Sequence, residues 1–168
     1  MDKVLDIIKK EFEIRVIDES LQRVIQCLNQ LSHKEVWHSA NANTNSVGNL
    51  VLHLEGNIRQ YIISGVGGQE DVRNRPDEFV KDHSHSAKHL TEHLSLTLTE
   101  ANATVEKLSY DQLSDEVSIQ GFPHTRLSAV IHVIEHLSYH VGQITYYTKL
   151  VKDVDTRYYA GANLDVVG

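Results

Sequence analysis

Only two prolines, Pro76 and Pro123, interrupt the 168 residues, and both sit in stretches that read as loops. A proline inside a helix removes a hydrogen bond and clashes with the preceding turn. The long intervals free of proline are therefore open to continuous helix, and their apolar residues recur at three- and four-residue steps. The first such segment runs from about 2 to 31, with Val4, Ile7, Ile8, Phe12, Ile17, Leu21, Val24, Ile25, Leu28 and Leu31, and a break is expected near Ile14–Ile17. A polar stretch, HSANANTNS, ends at Ser46, a good N-cap. The second helix then runs to about Ser64 on a stripe of Val47, Leu50, Val51, Leu54, Ile58, Tyr61 and Ile62, and GVGG ends it. A third is expected over 86–108, with Leu90, Leu94, Leu98, Ala101, Val105 and Leu108. Thr125 is expected to cap a fourth that reaches about Val151. The loop over 65–84 is polar and reads as exposed, and VSIQGF reads as one short extended piece before the last helix. Four long amphipathic helices indicate an all-α bundle, and the length suits one domain over 1–168.

Composition narrows the function classes. The formal charge is −7, and the only basic cluster, Arg73 and Arg75 in DVRNRPDEF, is flanked by acids. Nucleic-acid binding draws most of its affinity from neutralised phosphates, so nucleic acid is not an expected partner. No apolar run approaches the roughly 18–20 residues that span a bilayer. The start, MDKVLDIIKKEFE, is charged every few residues, unlike a secretory signal, and a cytoplasmic location away from membranes is expected. The single Cys27 stands beside Val24, Ile25 and Leu28 and reads as a small buried hydrophobe.

The eleven histidines are the chemical signal. Two rows share the spacing H-x3-H-x3-H: His85, His89, His93, and His132, His136, His140 in IHVIEHLSYHVGQI. Residues four apart on a helix share a face, and such a pair can offer two imidazoles to one ion. A whole row cannot, because its ends lie about 12 Å apart at ~1.5 Å per residue, against metal–nitrogen bonds of about 2 Å. The apolar stripe of the last helix centres on Val130, Leu137 and Val141. At about 100° per residue, His140 lies roughly 80° and His136 roughly 120° from that centre, on the same side. His132 lies roughly 160° away and is expected to meet solvent. Gln143 is expected near His136 on that border. On the second helix His53, in NLVLHLEGN, lies roughly 120° from the stripe centre, with Asn49 and Asn57 on its face. If the two polar borders face each other, His53, His136 and His140 converge with Asn49, Asn57 and Gln143 lining the pocket. A hydrogen-bonded interfacial histidine is the competing reading for His53, and two unrelated border histidines for the pair. The row at 85–93 reads as solvated. His33, His38, His83 and His124 have no partner at ligand spacing.

His53 in NLVLHLEGN and the motif HLSYHVGQI, together with helix count, helix lengths and the distance between the motifs, resemble the DinB/YfiT-like superfamily of small bacterial four-helix proteins. The likeness runs from the first helix to about Val151. The resemblance implies an up-down-down-up four-helix bundle and a three-histidine metal site at His53, His136 and His140. The ion would be divalent: nickel, zinc, manganese or iron. Homodimers are common in the superfamily, and some members are S-transferases or isomerases that use a low-molecular-weight thiol.

Three histidines leave a metal position open, which makes thiol transfer and hydrolysis both available. No carboxylate is evident as a base, since Glu135 and Glu55 point away from the neighbouring histidines. Tyr139 and Tyr146 read as outward-facing. Two expectations stand: a metal-dependent enzyme, transferase or hydrolase, acting on a small molecule; or a non-catalytic metal-binding or dimerisation bundle. The catalytic residues are not assigned by the sequence.

Overall fold

The computed structural model describes residues 2–81 and 84–167. Four long helices make up most of it: α1 over 2–30, α2 over 47–66, α3 over Ala87–Glu106 and α4 over Arg126–Lys152. Ser46, Ser86 and Thr125 cap the last three, each side chain accepting the N–H of the residue three on. The boundaries of all four helices fall within about two residues of the sequence expectation, the margin by which helix ends are ordinarily defined.

The break expected near Ile14–Ile17 is a change of pitch instead. Regular α-helix over Asp2–Glu13 widens into π-helical turns over Ile14–Leu21 and tightens again over Gln22–Gln30. The extra residue per turn carries the buried stripe by a five-residue step from Val16 to Leu21, so one face stays inward throughout. A second widening, Arg59–Val66, ends α2. The core draws on all four helices: Phe12, Val16 and Leu28; Leu54, Ile58 and Ile62; Leu90, Leu94 and Leu98; Leu137 and Ile144.

Contacts between helices fix the directions. Lys9 near the start of α1 donates to the Glu106 carbonyl at the end of α3, so these two run opposite. Cys27 near the end of α1 meets Thr145 near the end of α4, so that pair is parallel. Thr97 reaches Glu55, and Arg59 reaches Glu100, so α2 and α3 are parallel. His53 faces His136 while Asn57 faces His132, so α2 and α4 are antiparallel. The order is up-down-down-up.

The extended piece before α4 is a hairpin, not a lone strand. Glu116–Ile119 (β1) pairs antiparallel with Phe122–Thr125 (β2). Gln120 and Gly121, both at positive φ, make the two-residue turn. Ile119 is buried, and its side chain fills the space a Cβ on Gly65 would need, seating the hairpin on the end of α2. No described helix is long and apolar enough to cross a membrane.

Candidate metal centre

The antiparallel crossing of α2 and α4 brings His53, His136 and His140 together. One ring nitrogen from each lies within 4.8 Å of the others, the single such group of three or more His, Cys, Asp or Glu among the described residues. Nε2 of His53 is 2.9 Å from Nε2 of His136. The three rings stand nearly perpendicular to one another, at 73°, 85° and 87°, with centroids 4.6–5.2 Å apart.

The outer nitrogens of two rings are held by the protein. Nδ1 of His53 lies 2.8 Å from Oε2 of Glu78. A carboxylate cannot donate, so Nδ1 carries the proton and Nε2 presents its lone pair inward. Nδ1 of His140 likewise donates to Oε1 of Gln143 at 2.7 Å. Fixing the tautomer from outside is how proteins orient imidazole ligands. Burial is the first cause that lowers the pKa of His136, to about 3, followed by His140, His53, His132 and Arg73. Burial and His53 lower that of His140, outweighing Gln143. Neutral imidazoles are the form that binds a cation, so this cluster can hold a metal ion.

Glu78 and Arg73 were not legible as parts of the site. The loop over 65–84 is not simply exposed: it carries a short helical turn, Arg75–Phe79, that lies against α2. The Arg73 side chain is only 2% exposed and Glu78 only 8%. Arg73 grips the carboxylate with both arms, Nε to Oε1 at 2.6 Å and Nη2 to Oε2 at 2.9 Å. Burial alone would raise the Glu78 carboxyl, but the bonds from Arg73 and His53 outweigh it and hold it below the usual range. Both charges lose their hydration on burial, and the bidentate pairing with the added His53 bond offsets that cost. The room comes from Gly56, one turn beyond His53: a Cβ there would overlap the Glu78 carboxylate. That Gly, and the Arg-x4-Glu spacing around Pro76, are the only sequence traces of the arrangement.

The expected pocket residues separate. Asn49 is buried, its oxygen in the Ser46 capping box and its nitrogen on the Glu78 and Val80 carbonyls, so it clamps the loop to α2 rather than facing the cluster. Asn57 is buried with Nδ2 3.5 Å from Nε2 of His132 and no partner for Oδ1 among the described residues. Gln143 bonds His140 rather than neighbouring His136. His132 does not simply meet solvent. It is half-buried, stacked on Tyr61 with centroids 4.1 Å apart, because the end of α2 and the hairpin cover a flank that a single-helix wheel counts as open. It stays outside the cluster, as expected. Cys27 is fully buried. His83 lies outside the described residues.

Comparisons with known proteins agree with this architecture. The profile of the family described as "Protein of unknown function (DUF1572)" matches residues 5–160. No curated protein matches the chain. A conserved protein from Enterococcus faecalis superposes with TM-score 0.68 at 18% identity, over 90% of this chain and 98% of its own. A DinB-like protein from Bacillus cereus gives 0.63 at 17%, over 80% and 87%. A DinB-like protein from Bacillus subtilis, YjoA, gives 0.64 at 15%, over 88% and 94%. At such identities the likeness establishes the fold, which is DinB-like.

Proposed function

The chain belongs to the DUF1572 family, and we propose that it is a metal-dependent enzyme in which His53, His136 and His140 hold one divalent ion, nickel, zinc, manganese or iron. The observation that carries this reading is the convergence of three ring nitrogens within 4.8 Å of one another, with the rings of His53 and His140 already held from behind by Glu78 and Gln143. No fourth His, Cys, Asp or Glu of the described residues joins the group, which supports an open coordination position rather than a closed structural site. When bound, such an ion supplies Lewis acidity and acidifies the small molecule that joins it.

The chain's own groups favour thiol transfer over hydrolysis. Glu78, the carboxylate nearest the histidines, is consumed by Arg73 and His53 and is not free to act as a base. A thiol, ordinarily near pKa 8.5, needs far less help to ionise than water, which is a much weaker acid. The reading is therefore an S-transferase using a low-molecular-weight thiol, active as one domain, cytoplasmic and homodimeric. A hydrolase is the neighbouring alternative within the same site chemistry.

Metal content of untagged protein, purified without added metal and measured by elemental mass spectrometry, tests the centre. The expected result is about one divalent ion per chain, which would leave three histidines fully used. Protein that carries none, and takes up none at micromolar concentration, would overturn it.

A further inference from the structure

Beside the histidine cluster the structure holds a cleft of about 490 Å³ to which the metal centre itself gives no role. That volume falls within the roughly 300–1,000 Å³ of small-molecule sites. His140 and Gln143 stand on one side, Val47 and Leu50 of the first turns of α2 on another, and Tyr139, Tyr146 and Tyr147 supply aromatic walls. Tyr147 is fixed, its hydroxyl donating to the Glu35 carbonyl at 3.1 Å. Tyr139 meets His140 edge-on at 5.0 Å.

The wall chemistry is selective. None of the lining residues is Lys, Arg, Asp or Glu, in a chain where 23% of residues are charged. The imidazoles of His38 and His140 aside, an ionic ligand would give up its hydration with no charged side chain to meet it, which is costly. Flat rings, in contrast, find tyrosine faces and edges. Gln143 has already used its oxygen on His140, so what its amide has left for a ligand is its NH2, a donor suited to a carbonyl oxygen.

We propose that this cleft binds an uncharged aromatic carbonyl compound and is the acceptor-substrate subsite of the three-histidine centre. The second half rests on the metal reading, whereas the first does not.

The test uses a matched pair of probes, naphthalene-2-carboxamide and naphthalene-2-carboxylate, titrated into isotope-labelled full-length protein by NMR. The charge comparison is made metal-free, so that the carboxylate cannot coordinate. The carboxamide is expected to shift Gln143, Val47 and Leu50 saturably, and the carboxylate to bind at least about tenfold more weakly. Leu150→Glu and Tyr146→Ala, both at exposed positions on the cleft wall, are expected to weaken the carboxamide by a similar factor while metal uptake by calorimetry is unchanged. Equal binding of the two probes, shifts confined to another surface, or none up to the solubility limit would overturn the proposal. Carboxamide binding without metal uptake would sink the metal reading and leave the cleft standing. Metal uptake without carboxamide binding would do the reverse.

Discussion

Two rows of histidines in this molecule have the same H-x3-H-x3-H spacing and opposite surroundings. His85, just before α3, stacks on His89 at 4.4 Å between centroids, His93 meets His89 tilted by 36° at 4.0 Å, and half of the His93 side chain is exposed. The acid beside this row, Glu55, is 3.9 Å from His93. On α4, His136 and His140 stand at 87° to each other and face an imidazole from a crossing helix. Helical spacing offers two nitrogens at most. The third comes from the antiparallel packing of α2, and the orientation comes from a buried ion pair and an amide behind the rings.

Alanine substitution separates the rows most sharply. His53→Ala or His140→Ala is expected to abolish stoichiometric metal binding in calorimetry, with helical circular dichroism retained. His89→Ala is expected to leave that binding event intact. Loss of the high-affinity event in His89→Ala would place the site on the wrong row.

The acids behind the rows should differ next. Glu78→Gln leaves the buried Arg73 guanidinium without its counter-charge, a change that typically costs about 3–5 kcal/mol of stability. Metal affinity should also fall about 10–100-fold as His53 loses its anchor. Glu55→Gln, beside the exposed row, should cost no more than about 1 kcal/mol in denaturant unfolding. Equal costs would mean that Glu78 does not support the site.

The helices were legible because burial on one face imposes a 3.6-residue period on the sequence, and the caps because Ser46 and Thr125 precede that period. The pairing of His136 with His140 followed from the same phase. What the phase cannot carry is the far side of a contact. Arg73 and Glu78 looked like solvated charges because an ion pair is buried only when its partners and the space for them coincide, and that space is an absent side chain at Gly56. His132 looked solvated because the wheel of α4 contains neither Tyr61 nor the hairpin.

That absent side chain gives a smaller and more local test. Gly56→Ala puts a methyl group where the Glu78 carboxylate sits, and the carboxylate is held by Arg73 and cannot swing aside freely. Overpacking of this kind costs about 1–3 kcal/mol, and metal affinity should fall with it. Gly142, inside the HLSYHVGQI motif but exposed, is the opposite case: a Cβ there would meet nothing within 4 Å. Gly142→Ala should therefore stabilise the protein by up to about 1 kcal/mol through helix propensity and leave metal binding alone. A neutral Gly56→Ala would show that the loop over α2 yields easily.

The smallest effect is in the pH dependence of the metal-free protein. His136 titrates near 3 in the folded chain, against 6.5 for an unhindered imidazole, with burial the largest cause. Between those values the unfolded chain binds a proton that the folded chain refuses, so stability falls as pH drops from 6.5 towards 3 and is unaffected above 6.5. Because His136 is only half-buried, the slope should be well below the limit of about 1.4 kcal/mol per pH unit for one fully discriminated proton. His136→Gln should flatten the stability profile through this window. His89, whose pKa is lowered by slight burial and by His93 and His85, faces solvent, and His89→Gln should alter the profile little, least of all at high salt. Matching profiles for the two variants would mean that the α4 row is as hydrated as the α3 row, and the difference between them would then rest on geometry alone.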